Sequence, residues 1–583
     1  MPDHPAARGA HRTRRAKGAF FLGATAAIVL LSVEAGARLI AAMQLALAGK
    51  NVNPYVEITN RADVFERASE GGRPVYHRTA DHPWIPGNQT FEAEKSARTL
   101  RIFLLGGSAA NGWPHDGSLG IGPLLAHKLR AALPETNVEV LVGAGVTFAS
   151  YRVKVVFDEI IDYAPDLVII YCGNNEFLED FVLRSPLGFP WRHSAAVRIS
   201  HDGLTELLRR KPVFDIKNYG NADHVANRLA FAFGRASKLR DDPEQFRQLR
   251  DHYRYNIQSM VDECRRRGVP VMLLQVPVNL KDWVPNVSVH RRDLTAEQLR
   301  GWQRAFREGY LSLEQGEHGQ AAGHLRQAVE FDGDHAETHY YLAVALHRLN
   351  QVGEARRHYA SALELDAYPF RALPEFNSIL REISQRSGAI SVDIVAALEE
   401  QAVDRIIGLD VLVDYVHPTV ASNEVIAHEL LLAMARAKLL PAAPSRPLEE
   451  LRFTVQRAAG ETVPALSALC KQHLIMRQYD KFDGLARRYA RALERDSQEN
   501  PSRRDQNAAE LRRLVRIEHV VSQYRRLLLA EKLGRLGEEF SAAEARRVFD
   551  EYVEMIRSLE QHHMARPEEF ASRIPKFQYP ASP

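Results

Sequence analysis

The chain has 583 residues, enough for several domains at the usual ~100 to 200 residues each, and its 45% apolar and 26% charged residues are ordinary globular composition. A formal charge of +3 singles out no partner, and the Arg-rich stretches are interleaved with Glu and Asp as on solvated helices, so no nucleic acid is expected to bind. The three cysteines, Cys172, Cys264 and Cys470, are far apart and odd in number, which excludes a disulfide framework and a zinc pair.

Arg8, Arg12, Arg14, Arg15 and Lys17 form a basic flank over 1–17, followed by an uncharged run from Gly18 to Val33. Glu34 and Arg38 then interrupt an otherwise apolar stretch that reaches Ala48. The run is shorter than the ~20 residues that span a bilayer, but a snorkelling Arg38 extends it, so 18–48 is read as an uncleaved membrane anchor. The basic flank then stays in the cytoplasm and the bulk of the chain is periplasmic or extracellular. The second reading is a cleaved signal peptide with Ala35-Gly36-Ala37 as its A-x-A site. Residues 49–98 are polar and mixed, and Pro54, Pro74, Pro83 and Pro86 predict an irregular lead-in.

From residue 99 short apolar runs alternate with helical stretches: Arg101 to Leu105, Val138 to Val142, Leu167 to Tyr171, Val271 to Val276 and Ile390 to Ile394. That alternation predicts a five-stranded parallel sheet with helices on both faces. The first run ends in Gly106-Gly107-Ser108, where small residues let the chain turn and leave Ser108 exposed at a strand's carboxyl end, the place where open α/β sheets hold their chemistry. A serine there is equally suited to capping the next helix. After the second strand comes Gly143-Ala144-Gly145, after the third Gly173-Asn174-Asn175-Glu176, and after the fifth Asp414-Tyr415-Val416-His417. Acyl transfer needs such a set: a serine that a histidine deprotonates, a carboxylate that holds the histidine, and amide donors for an oxyanion. Singly, Asn175 also reads as a turn former and Asp414 with His417 as a surface pair.

In these four blocks, GGS, GAG, GNNE and DYVH in that order, the sequence resembles the SGNH/GDSL hydrolase family over roughly 99–290 and 370–437. The resemblance implies a flavodoxin-like three-layer α/β/α fold and no cofactor or metal. It also implies Ser108 as nucleophile, His417 as general base, Asp414 as the acid that orients it, and the Ser108 N–H, the Gly145 N–H and Asn175 as the oxyanion hole. Three positions depart from the family pattern: Gly107 stands where an Asp is usual, Gly143 where an Asn is often found, and Glu176 where an Asp closes the third block. The segment 177–260 carries Phe177, Phe181, Phe189, Trp191 and Tyr219, expected as core or lid packing, with sugar stacking or an acyl groove as the alternative. After the fourth strand, Pro277 to Asp282 is a loop expected to face the site, in which Asn279 is given no catalytic role.

Between the sheet's halves the pattern is purely helical. Residues 34 apart pair Gly309 with Ala343, Ala321 with Ala355, Leu325 with Tyr359, Ala328 with Ala362 and Phe331 with Leu365. Ala336 to Leu365 resembles a tetratricopeptide repeat, and a poorer copy starts near Trp302. Two copies are fewer than the ~3 of an independent solenoid, so they are expected to lean on the hydrolase domain or on later helices. The histidines here have no ligand spacing. The predicted organisation is thus a hydrolase domain in two parts, 99–300 and 371–438, with a repeat insertion at 301–370. A linker at 439–447, a helical region at 448–563 for packing or partner contact, and an irregular tail at 564–583 follow.

The reading is a membrane-anchored, exported serine esterase acting on an oxygen ester, with acetyl groups on envelope or secreted polysaccharide as a fitting O-acylated glycan substrate. The alternatives are an O-acyltransferase using the same residues and a repeat scaffold with a vestigial hydrolase fold. A protein partner would bind the repeats or the C-terminal helices.

Overall fold

The structure is a computed structural model that describes residues 29–36, 39, 64–79, 89–115, 117–178, 243–453, 462–476, 478–532 and 535–560. Residues 1–60 with 180–218, and 61–179 with 219–583, are separate units. Of the first unit 29–36 are helical, and most of the expected anchor lies outside the described residues. Among the described residues no helix is long and apolar enough to cross a membrane.

The second unit is built on five parallel strands, each of the apolar runs having formed one: β4 (Thr99–Gly106), β5 (Asn137–Ala144), β6 (Leu167–Tyr171), β7 (Val271–Leu274) and β8 (Ile390–Val392). Their order, β5-β4-β6-β7-β8, is the doubly wound flavodoxin-like order, with the switch point at β4. Central strands are buried on both faces, which is why Ile102 to Leu105, Leu167 to Tyr171 and Val271 to Leu274 are continuous rather than alternating apolar runs. Helices α1 (Ser108–Asn111), α2 (Ile121–Ala132), α3 (Ser150–Ile160), α4 (Pro243–Arg267), and further on α9 (Pro374–Ser387), α10 (Ile394–Glu399) and α11 (Val420–Arg436) complete the layers.

The expectation of an irregular 49–98 is overturned in its described part. Phe65–Glu70 (β1), Arg73–Arg78 (β2) and Thr90–Glu92 (β3) form an antiparallel sheet. Gly71 and Gly72 both take positive φ (58° and 82°), as a two-residue hairpin turn requires. Pro74 sits in β2 opposite Ser69 without breaking the strand. The sheet's apolar face is aromatic: the rings of Phe65 and Phe91 meet at 5.1 Å, Phe91 and Phe103 of β4 at 5.9 Å, and Tyr76 and Tyr163 at 4.5 Å. Buried Arg101 ties it to the main sheet, bonding Glu139 at 2.6 Å and the Glu92 carbonyl at 2.6 Å while lying over the Phe91 ring.

Between β7 and β8 come two helical hairpins, α5 (Ala296–Glu314) with α6 (His318–Phe331) and α7 (Ala336–Arg348) with α8 (Val352–Leu365). The small residues of the 34-residue pattern lie where helices cross. A side chain at Gly309 would meet Leu325 at 2.6 Å, and Ala321 and Ala355 are fully buried. This core continues outside the hairpins, through Leu280, Val284 and Ile406 of the sheet domain and Leu529 beyond it. Leu529 belongs to the C-terminal helices α12 (Val463–Ile475), α13 (Tyr479–Glu499), α14 (Arg504–Lys532), α15 (Leu536–Glu539) and α16 (Ala542–Glu560), which share a core from Leu466 to Met555.

Candidate active site

Strand β4 delivers Ser108 to the carboxyl edge of the sheet. Gly106 admits no side chain, since a Cβ would fall 2.0 Å from the Tyr171 carbonyl oxygen. Gly107 caps α1 in an extended conformation and Gly112 ends that helix in the left-handed region. Ser108 is therefore the first residue of the helix rather than its cap, and its hydroxyl is turned to a different partner. His417 Nε2 lies 2.7 Å from Ser108 Oγ.

The loop after α10 supplies that histidine, and Asp414 shapes the loop. Its Oδ1 accepts the backbone N–H groups of Val416 and His417, both at 2.8 Å, and its Oδ2 lies 2.6 Å from His417 Nδ1. One carboxylate thus folds the turn and orients the ring. Asp414 is fully buried, which by itself disfavours the charged carboxylate and pushes its pKa up. The His417 ring beside it, their shared hydrogen bond and the two N–H donors outweigh that burial and hold the carboxyl below its ordinary value. An ionised Asp414 keeps the imidazole hydrogen on Nδ1 and leaves Nε2 to accept from Ser108. The Trp113 ring covers His417 at 4.5 Å, and Tyr415 stands edge-on to it at 5.7 Å.

The expected oxyanion donors are placed unequally. As the first residue of α1, Ser108 has an N–H with no acceptor in its own helix. The Asn175 amide lies against Gly107: its Nδ2 donates one hydrogen to the Phe148 carbonyl at 3.0 Å, and a Cβ at Gly107 would come 2.6 Å from that nitrogen. The second hydrogen of Nδ2 is left for another acceptor. Gly145 differs from expectation. Its N–H donates to the Gly106 carbonyl at 3.2 Å, because the β4–β5 ladder runs on one residue past the Gly106–Ala144 pair.

The departures from the family pattern have local reasons. Gly107 is the residue that leaves room for the Asn175 amide. A side chain at Gly143 would collide with Leu105 at 2.7 Å. Glu176 accepts the Ser150 N–H at 2.9 Å and the Ser150 hydroxyl at 2.8 Å, bracing the start of α3 with the longer carboxylate. Of the aromatics, Phe177 is core, its ring 5.9 Å from that of Phe376; Phe181, Phe189, Trp191 and Tyr219 lie outside the described residues.

Two features escaped the sequence. Asn279 is fully buried and donates from Nδ2 to the Asp414 carbonyl at 2.9 Å and from its N–H to the Tyr415 carbonyl at 2.9 Å. The C-terminal helices also reach the site: Trp113 and Val413 pack on their core, and Trp283 lies between Tyr415 at 5.1 Å and His473 at 5.2 Å.

Set against known proteins, residues 312–367 match the tetratricopeptide repeat family. That segment covers most of the two hairpins. A search of curated proteins found no match. Among solved structures, a catalytic mutant of an acetylxylan esterase from Geobacillus stearothermophilus aligns with 59% of this chain and 96% of its own at 15% identity, with a TM-score of 0.27.

Proposed function

We propose that this chain is a serine ester hydrolase of the SGNH/GDSL type, exported and held at a membrane by its N-terminal segment, that cleaves an oxygen ester through an acyl-enzyme on Ser108. The observation that carries the reading is the unbroken relay from Ser108 Oγ through His417, bonded on both ring nitrogens, to the buried Asp414 carboxylate. In this reading His417 takes the serine proton as the ester carbonyl is attacked and returns it to the leaving alcohol. Asp414 holds the ring and stabilises the imidazolium. The Ser108 N–H and the Asn175 amide receive the oxyanion, and Gly145 joins them only if its bond to Gly106 opens. The four ordered sequence blocks support the family, and the basic flank before an apolar run supports the export. An extracytoplasmic site is suited to acetyl esters of envelope or secreted polysaccharide.

The test compares Ser108→Ala, His417→Ala and the double variant with p-nitrophenyl acetate. Each single change should lower kcat by on the order of 10⁴ or more, and the double variant should be no slower, because nucleophile and base act as one. A Ser108→Ala enzyme that keeps more than a tenth of parental activity, and a parent that resists a fluorophosphonate, would end the reading.

A further inference from the structure

The Asp414–His417 arm is a loop, and something outside it must fix where it stands relative to Ser108. Its own hydrogen bonds set its internal shape only. One external anchor is His115, whose Nε2 lies 3.0 Å from the Pro418 carbonyl. Another is Asn279, in the loop after β7, all of whose polar groups are engaged. Its N–H and its Nδ2 go to the Tyr415 and Asp414 carbonyls, each at 2.9 Å. Its Oδ1 accepts the Asp282 N–H at 2.9 Å, and its carbonyl accepts from Arg371 Nη1 at 2.7 Å.

Arg371 carries the connection further. Its guanidinium also bonds Asp366 at 3.3 Å, and Asp366 accepts the N–H groups of Asn286 at 2.8 Å and Val287 at 3.0 Å. Asp366 is the residue that ends α8, the last helix of the repeat insertion. Arg371 and Asp366 are both buried. A buried pair of this kind holds its place because leaving either charge unpartnered is costly. The exit of the repeats, the loop after β7 and the Asp–His arm are thereby pinned at one residue.

We propose that Asn279 is a positioning residue of the Asp414–His417 arm, clasping the carbonyls of Asp414 and Tyr415 and itself held by Arg371 at the exit of the repeat insertion. The proposal rests on the serine hydrolase reading above, and it concerns placement: Asn279 touches no reacting atom. A loop anchored at two carbonyls loses one of them when the amide is removed, and a displacement of about 1 Å between base and nucleophile is enough to cost on the order of 10²-fold in rate.

Two variants of the full chain test it. Asn279→Ala removes both side-chain bonds. Asn279→Asp keeps an oxygen for the Asp282 N–H and so the local turn, but removes the amide donor to the Asp414 carbonyl. Both should lower kcat for p-nitrophenyl acetate by about 10- to 100-fold with KM within about twofold of the parent. The low-field proton resonance of the His417–Asp414 hydrogen bond, which needs no turnover to observe, should broaden or move in both variants while far-ultraviolet circular dichroism stays parental. A parental kcat in Asn279→Asp, or loss of rate with that resonance unchanged, overturns the proposal. If Asn279→Ala does not fold, Asn279→Asp decides alone; if neither folds, Asn279 is part of the framework and the proposal fails. Should Ser108→Ala prove active, the hydrolase reading falls first, while the resonance still reports whether Asn279 places the arm.

Discussion

Adding one methyl group at Gly107 separates the oxyanion assignment from everything else in the site. Gly107 has φ −89° and ψ −160°, an extended conformation that alanine adopts without strain, so the backbone does not object. The new Cβ would fall 2.6 Å from Asn175 Nδ2, against an ordinary contact of about 3.5 Å, so the amide must retreat by about 1 Å. It cannot slide toward its partner, since the same Cβ would stand 3.2 Å from the Phe148 carbonyl that the amide bonds. Crowding costs about 1 to 3 kcal/mol of stability, offset in part by the 0.4 to 1 kcal/mol (roughly) that Gly→Ala gains through the unfolded chain. The catalytic loss should be larger. Misplacing one oxyanion donor predicts a kcat for p-nitrophenyl acetate lower by about 10² to 10³, equal to that of Asn175→Ala. The two changes act on one group, so the double variant should be no slower than Asn175→Ala alone. Labelling of Ser108 should slow in step. A Gly107→Ala enzyme within about threefold of the parent, with a parental melting temperature, would refute the argument that the amide beside Gly107 receives the oxyanion.

Asp414→Asn should lower kcat by about 10³ to 10⁴, between Asn175→Ala and Ser108→Ala, by favouring the wrong imidazole tautomer; a loss below tenfold in steady-state assays would contradict the relay. Ala355→Arg forces a charge into the crossing of the repeat helices and should cost about 3 to 5 kcal/mol, and an unchanged thermal melt would show that the hairpins are not packed as described. In the same insertion His339 and His358 meet Nδ1 to Nδ1 at 2.9 Å. Burial first, then the His339 ring, push His358 from 6.5 down to about 4. Between those values the unfolded chain binds a proton that the folded one refuses, so this part of the stability is complete above pH 6.5 and is lost as the pH falls toward 4. The melting temperature of the parent should drop more steeply over that window than that of His358→Gln, and parallel curves would refute the assignment.

What was legible in the sequence is what depends on local pattern. Leu167 to Tyr171 formed a strand over its predicted span because burial on both faces demands an unbroken apolar run, and Thr99–Gly106 needed only one or two more residues at each end. The repeat hairpins were legible because helix crossings need small residues at a fixed period. The β1–β2 hairpin was not: its polar, Pro-containing strands hide a single aromatic face, and Gly71-Gly72 was the missed signal. Asn279 was legible as a residue facing the site but not in its role. Its bonds go to backbone carbonyls 135 and more positions away, and carbonyls leave no trace in residue type. The Gly145 bond escaped for the same reason, since a ladder that runs one residue longer changes no side chain. The C-terminal helices showed their amphipathic spacing but not what their free face covers.

The serine and histidine of the relay are 309 residues apart in the chain, with both repeat hairpins between them. A ribosome adding about 5 to 20 residues per second needs roughly 15 to 60 s to pass from one to the other. Once β6 has been made, β4, β5 and β6 can pair around a finished Ser108 turn, while the group that would activate the serine does not yet exist. The emerging chain is therefore chemically silent until the repeats have been made.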